Sequence, residues 1–318
     1  MNRLETTLLS EHLEREREYW LQKLSGELAL TGLPLAFERP PLFDERQERL
    51  DITIDQQTLD KLFKASNRIP SLIFAILVAA LKVSLYKYTG EEDIIVGSAI
   101  HEQHGEDASL NKVLALRDRV SGAATVRQLL ADVKQTLAEA YAHQKYPFER
   151  LLDLLGFSPA VNQESLFNVV ILLENIHDAD KVRPLKNDLT FSFSMGDAGL
   201  AGIVAYRSSL FNRSTVEQFT RHYAQVLRSM LDRPDTQISK LSMLSEAETE
   251  ELLRGFNETG SAYPREATVA GLFEEQVKER AEATAVVSGA ERVSYGELNE
   301  RANRLARHLR SLGVGGEQ

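Results

Sequence analysis

Residues 71–97 read SLIFAILVAALKVSLYKYTGEEDIIVG, and this stretch decides the fold. Leu72 to Tyr88 is apolar nearly all round, the pattern of a helix buried on every side. Ser71 is placed to cap it and Gly90 to stop it. Its apolar run Leu72 to Leu81 is too short to span a bilayer, and Lys82 follows it. Asp93 to Gly97 is a short run with β-branched residues and reads as a buried strand. A buried helix leading into a buried strand predicts a mixed core, α/β or α+β.

Toward the N-terminus, Thr58 to Asn67 reads as a helix. Leu50, Ile52 and Ile54 alternate with Asp51, Thr53 and Asp55 at the period of a half-buried strand. Leu33 to Pro41 is Pro-rich and extended. Residues 11–25 read as a helix with alternating charges from Glu14 to Glu18 and an apolar side of Leu13, Trp20, Leu21 and Leu24.

Toward the C-terminus come a short strand Val113–Arg117, an amphipathic helix Thr125–Tyr141, a short helix Phe148–Leu155 after Pro147, and a strand Leu166–Leu173. Asp188–Ser194 and Gly202–Tyr206 form a meander joined at Gly196-Asp197-Ala198-Gly199. Thr215–Leu231 is a further amphipathic helix. Gly, Asn, Ser and Pro gather between Gly255 and Pro264 and mark a boundary. After it, a helix Val269–Arg280, strands Thr284–Val287 and Arg292–Tyr295, and a helix Glu297–Leu312 read as the opening of a second domain. The expected organisation is a first domain over 1–245, a linker over 246–265 and a second piece over 266–318.

The chain has 318 residues, 37 Lys+Arg against 47 Asp+Glu, a formal charge of -10 and no Cys. Without Cys there is no disulfide, thiolate nucleophile, Cys-ligated zinc or iron–sulfur cluster, and a reducing compartment suits the chain. The acidic balance argues against a nucleic-acid binder that neutralises phosphates. The first residues alternate in charge and lack a continuous apolar signal core. A cytoplasmic protein with no membrane or nucleic-acid partner is expected.

Particular motifs sharpen this. Val293-Ser294-Tyr295-Gly296-Glu297-Leu298-Asn299-Glu300-Arg301-Ala302-Asn303-Arg304-Leu305-Ala306 resembles the opening motif of adenylation domains in nonribosomal peptide synthetases. Upstream, Tyr19–Gly26, Leu85–Gly97, Ala142-His143-Gln144-Lys145-Tyr146-Pro147-Phe148-Glu149, Ser165–Val169, Leu210-Phe211 and Leu241–Glu248 resemble, in order, the C-terminal half of a condensation domain and its exit. The resemblance covers residues 11–313. It implies an α/β (α+β) sandwich: one lobe of the two-lobed, chloramphenicol-acetyltransferase-like condensation fold, followed by a short α/β piece of an adenylation domain.

The family's other half carries a His-His-x-x-x-Asp-Gly motif, whose second His stands where an amine attacks a carrier-bound thioester. None of the seven histidines here forms that motif. The segment after Gly97 is shorter than the family's, and Gln163 stands where the family has Arg. Both read as drift in a lobe no longer held to catalysis.

The resemblance supplies the candidate substrate or interface residues: His143, Gln144, Pro147 and Phe148 of the His-Gln-x-x-Pro-Phe-Glu motif, Asn168 of the central strand, and Ser192 and Ser194, which share one side of a strand and would line a channel in a complete domain. Plainer readings stand beside these. His143 suits a helix C-cap, and the two serines suit a solvated sheet face. Asp188 sits in the family's Lys-Phe-Asp-Leu position, and a local turn hydrogen bond explains it equally well. His101 and His104 with Glu102, Glu106 and Asp107 match no structural zinc pattern and read as a polar loop. No catalytic or metal-ligating residue is assigned. Gly313-Val314-Gly315-Gly316 lacks the Lys-Ser/Thr of a phosphate cradle.

The resemblance implies a parent synthetase that activates an amino acid with ATP and magnesium and passes it to a phosphopantetheine-bearing carrier domain, for a peptide secondary metabolite. For this chain it implies a truncated condensation lobe, without catalysis or cofactor of its own, acting as a platform for the rest of the adenylation domain through burial across Ile238 to Gly260. A lobe beginning at Met1 suits an initiation module. Two alternatives stay open. One is a split enzyme completed by a separate His-bearing lobe, which predicts an exposed apolar face. The other is a carrier-docking module using Arg117, Arg119 and Arg127, diluted by Asp118.

Overall fold

The computed structural model describes residues 3–28, 31–41, 44, 46–101, 111–156, 166–182, 185–197, 199–260 and 265–315, with side chains from residue 13 onward. Met1–Glu251 and Leu252–Gln318 are separate compact units. In chain order the first holds α1 (Arg3–Lys23), β1 (Gln47–Asp51), α2 (Gln56–Ser66), α3 (Pro70–Thr89), β2 (Asp93–Ala99), β3 (Val113–Arg119), α4 (Val126–Ala142), α5 (Phe148–Leu154), β4 (Val169–Leu173), β5 (Leu189–Gly196), β6 (Gly199–Arg207) and α6 (Arg213–Asp232). Helix α7 (Glu246–Leu253) crosses the division, and α8 (Val269–Arg280), β7 (Thr284–Ser288), β8 (Glu291–Ser294) and α9 (Tyr295–Ser311) belong to the second unit.

Helix α3 is central because every side chain from Ile73 to Leu85 is buried. It packs on α4 and α6 at its sides and on β2 and β4. Its start differs from expectation. Ile69, not Ser71, holds the cap position, and Pro70 takes the first helical turn, where its fixed φ is preset and its missing N–H has no partner to lose. The helix has 20 residues and is apolar enough to cross a membrane by length and composition, but 72% of its most apolar window is buried inside this lobe, which accounts for the apolarity.

The six strands lie in the order β1-β6-β5-β4-β2-β3. The β4–β5 and β2–β4 pairs are parallel and the rest antiparallel. The β2–β4 junction closes at a single pair, Gly97 with Val170. A Cβ on Gly97 would lie 2.3 Å from the Phe167 ring, so the close ring packing at this junction requires glycine. On β5, Leu189, Phe191 and Phe193 are buried, and Phe191 and Phe193 meet Tyr223 of α6. The intervening Thr190, Ser192 and Ser194 therefore face the other way. Strand β2 is buried on both faces, as its apolar run predicted, whereas β5 and β6 are open on one.

Other boundaries shift for local reasons. Helix α1 begins at Arg3 rather than residue 11. Strand β4 begins at Val169 rather than Leu166, because the Asn168 carbonyl already accepts from the Asp188 and Leu189 N–H groups and opens the parallel ladder. The stretch read as linker contains α7, started by a reciprocal cap in which Glu248 accepts from Ser245 N at 2.9 Å and Ser245 Oγ accepts from Glu248 N at 3.2 Å. In the second unit, β7 and β8 form a hairpin, α8 packs on α9, and Ser294 and Glu297 form the same kind of box at the start of α9.

Candidate functional site

The open half of the sheet carries a concavity of about 210 Å³ floored by Leu172 of β4, Thr190 and Ser192 of β5 and Ile203 and Ala205 of β6. Gln47 and Arg49 of β1 close one side, and Glu174 and Asn187 the other. Asn187 is fixed by donating to Leu189 O at 2.8 Å and to Thr190 Oγ1 at 2.7 Å. Ser192 lines this concavity. Ser194 lies on the same face but is exposed and outside its lining. Among the described residues no histidine borders it, and Glu174 is the acidic side chain of its lining.

The His143 motif lies elsewhere and does structural work. His143 caps α4, its N–H bonding Glu139 O at 3.0 Å. Its ring stacks on Tyr19 with centroids 4.2 Å apart, and its carbonyl accepts from Trp20 Nε1 at 2.8 Å, tying α1 to the end of α4. Gln144 is buried: its Oε1 accepts from His101 N at 2.9 Å, its Nε2 donates to His101 O at 3.3 Å, and its carbonyl accepts from Asn111 Nδ2 at 2.9 Å. Pro147 occupies the cap position of α5, and buried Phe148 packs on Phe167 at 5.4 Å. Asn168 is buried, with Gly32 against its amide. Gln144, Phe148 and Asn111 thus form one cluster, while Ser192 and Ser194 stand apart from it. Of the polar-loop residues, His101 places its ring against Tyr141 at 5.2 Å; His104, Glu102, Glu106 and Asp107 fall outside the described residues.

Asp188, for which a turn bond was an equal reading, is instead the anion of a buried cluster. Arg39 grips both its oxygens at 2.8 and 2.7 Å, and Arg207 reaches Oδ1 at 3.3 Å. The three arginines named for the carrier-docking alternative each have an acidic partner. Arg117 pairs with Asp93 at 2.6 Å, Arg119 with Glu92 at 2.9 Å and Arg127 with Asp235 at 2.8 Å, while Asp118 turns into the core.

Three buried polar centres escape sequence reading. Lys82 Nζ donates to Leu116 O and Asp118 Oδ2, each at 2.6 Å, and Thr136 Oγ1 donates to Asp118 Oδ1 at 2.5 Å. Burial pushes Lys82 below the ordinary lysine range; burial pushes Asp118 up, but Lys82 and Thr136 more than offset it and hold the carboxyl low. His177 accepts from Leu173 N at Nδ1, 3.0 Å, so its neutral form carries the proton at Nε2, 3.0 Å from Tyr141 Oη. Burial, helped by His101, pushes its pKa down to about 3. His222 lies between Tyr88 Oη, 2.7 Å from Nδ1, and Glu248 Oε1, 3.2 Å from Nε2. A lysine inside an otherwise apolar helix was the one readable sign of these centres, since such a charge needs a buried partner.

Comparison with known proteins agrees with this architecture. The condensation-domain model matches residues 1–253, and the AMP-binding enzyme model matches residues 273–318. Tyrocidine synthase 2 of Brevibacillus parabrevis is 33% identical over 324 residues, covering 96% of this chain and 9% of that protein. Gramicidin S synthase 2 of Brevibacillus brevis is 33% identical over 325 residues, covering 96% of this chain and 7% of that protein. The chain therefore spans less than a tenth of the length of these curated relatives. The X-domain from teicoplanin biosynthesis superposes with a TM-score of 0.63 at 21% identity, over 76% of this chain and 61% of that one. A four-domain nonribosomal peptide synthetase bound to AMP and glycine superposes with a TM-score of 0.78 at 19% identity, over 94% of this chain and 25% of that one. The solved structures share the fold, and the match over residues 1–253 makes this chain a member of the condensation-domain family, with the opening of an AMP-binding enzyme domain behind it.

Proposed function

We propose that within a peptide synthetase this lobe is a non-catalytic platform that carries the adenylation domain. The observation that carries this reading is the anchoring of the segment leading to α7. Leu241 is buried, Met243 packs on the core, Ser229 Oγ donates to Ser242 O at 3.1 Å, and Glu248 meets buried His222. The buried polar residues described above spend their polar atoms on bonds within the lobe, which supports this reading. The parent would activate an amino acid with ATP and magnesium and load a phosphopantetheine-bearing carrier. Among the described residues no three His, Asp or Glu stand together.

A second reading, the split condensation enzyme, predicts an exposed apolar face; the open sheet face instead sets polar Thr190 and Ser192 around exposed Ile203, and this mixed surface is what a His-bearing lobe would have to cover. One assay separates the two. The chain is incubated with a donor acyl-carrier and an acceptor aminoacyl-carrier, with and without a separately expressed His-bearing lobe, and the intact mass of the acceptor is followed. The platform reading expects no mass gain in either arm; a gain only with the added lobe overturns it and supports the split enzyme.

A further inference from the structure

We propose that His222 makes the anchoring of α7 pH-dependent, tightening it as the ring takes up a second proton. The ring stands in a chain of side chains from three helices. Tyr88 Oη of α3 lies 2.7 Å from its Nδ1, and Glu248 Oε1 of α7 lies 3.2 Å from its Nε2. A carboxylate only accepts, so Nε2 carries a proton, and in the neutral ring Nδ1 accepts from the Tyr88 hydroxyl. A second proton on Nδ1 also finds an acceptor, because a hydroxyl oxygen keeps free lone pairs and its O–H can turn away. Tyr88 is only half-buried, which leaves room for that turn. The change leaves neither ring nitrogen unpartnered and makes the contact with Glu248 an ion pair.

His177 has the opposite geometry in the same lobe. Its Nδ1 accepts from the Leu173 N–H at 3.0 Å, so a second proton there would set donor against donor. Two buried histidines thus answer acid in opposite ways, decided by what faces Nδ1. The side chains of His222 and Glu248 are 4% and 25% exposed, so their charges are poorly screened. Helix α6 packs on α2 and α3. From α3, Lys87 bonds Ser239 O at 2.9 Å; from α2, Lys61 bonds Asp232 at the far end of α6. Arg221, beside His222 and acting on Tyr88, opposes the added charge, but among the described residues Glu248 is the charged group in hydrogen-bond contact with the ring. Glu248 is held below its ordinary range, chiefly by the Ser245 N–H, and so stays an anion while a histidine titrates. By reciprocity, a docked α7 favours the second proton and the second proton favours a docked α7.

The test uses the full chain and reads amide hydrogen exchange over residues 246–253 at pH 8 and pH 6, as protection factors, which removes the intrinsic pH dependence of exchange. Protection over α7 is expected to rise at pH 6, by up to about tenfold per pH unit, the limit for one linked proton. H222Q and E248Q should each flatten the response. The first removes the titrating ring; the second keeps an acceptor for ring and cap but removes the charge. Protection over α7 that stays level or falls at pH 6 overturns the proposal. A rise that persists in E248Q also overturns it, because the linked proton then sits on another group. Glu248 is partly exposed, so E248Q keeps the test decisive where H222Q fails to fold. The readout is α7 itself, so the inference stands or falls apart from the platform reading, which adenylation assays address.

Discussion

Lys82 Nζ and Asp118 Oδ2 stand 2.6 Å apart inside the lobe, with 0% and 4% of their side chains exposed. All three ammonium protons have acceptors, since Ile94 O lies at 3.4 Å and Leu116 O at 2.6 Å. The pair joins the middle of α3 to β3, and Thr136 extends it to α4. A buried pair of this kind contributes little over an apolar substitute, but removing one member strands the other. K82M is therefore predicted to destabilise the lobe by about 3–5 kcal/mol, and K82M/D118L to recover most of that loss. Denaturant unfolding of both variants checks this, and equal losses in the two would contradict it. Asp118 is held below the ordinary carboxylate range, so its contribution is complete above that range and is lost as pH falls through its folded pKa. In K82M the offset from Lys82 is gone and burial pushes the Asp118 carboxyl up, so the stability gap between K82M and the unaltered chain should narrow as pH falls.

His177 gives a second pH dependence of known direction. Its folded pKa is near 3, and an unfolded histidine titrates near 6.5. Between those values the unfolded chain binds the extra proton, so stability rises with pH and falls on acidification, by up to about 1.4 kcal/mol per pH unit. H177Q removes the titrating group and keeps a polar atom for the Leu173 N–H. Urea midpoints at pH 7 and pH 5 should differ less in H177Q than in the unaltered chain; an unchanged difference would place the acid sensitivity elsewhere.

Gln144 holds both backbone groups of His101 and, through its carbonyl, Asn111. Q144A leaves a partly buried N–H and C=O without their amide partner and is predicted to cost about 1–3 kcal/mol. Q144E keeps the acceptor but loses the donor, and should fall between the two. Hydrogen exchange at His101 reads this directly: protection should drop in Q144A before the rest of the lobe changes. Protection that drops only with global unfolding would assign the residue a role in general packing.

The sequence pattern made α3, β2, α4 and α6 legible because burial on one or both sides writes itself into periodicity. The same logic placed His143 at a helix end and Ser192 and Ser194 on an uncovered sheet face. What stayed hidden was pairing over distance. Arg39 meets Asp188 across 149 residues and Trp20 meets His143 across 123, and no local pattern encodes either. Asp118 looked like a diluting surface charge because its neighbours Arg117 and Arg119 are surface charges. Strand alternation turned it inward, and only Lys82, on another element, explains why that is tolerated. Helix α7 was hidden for a different reason: it falls in the stretch assigned to the linker, and only the closing of Ser245 and Glu248 into a cap marks its start.

That cap makes Glu248 the last prediction. One carboxylate serves two structures: Oε2 accepts from Ser245 N and Oγ at 2.9 and 2.8 Å, while Oε1 meets His222 at 3.2 Å. The Ser245 backbone N–H, with His222 as a further contributor, holds the Glu248 carboxyl below its ordinary range despite partial burial. His222 is itself oriented by Tyr88, whose hydroxyl, pushed up to about 12 by burial, keeps its proton across physiological pH. Loss of the carboxylate should release the start of α7 while the lobe stays folded, because α6 and α3 keep their own packing. E248A is predicted to cost about 1 kcal/mol of helix-start stability and to raise hydrogen exchange over residues 246–253 selectively. E248Q, which keeps the acceptor for the cap, should lose less. In the full synthetase E248A should also lower amino-acid-dependent pyrophosphate exchange if the platform reading is right. Fast exchange over 246–253 with undiminished adenylation would keep the anchor and discard the platform.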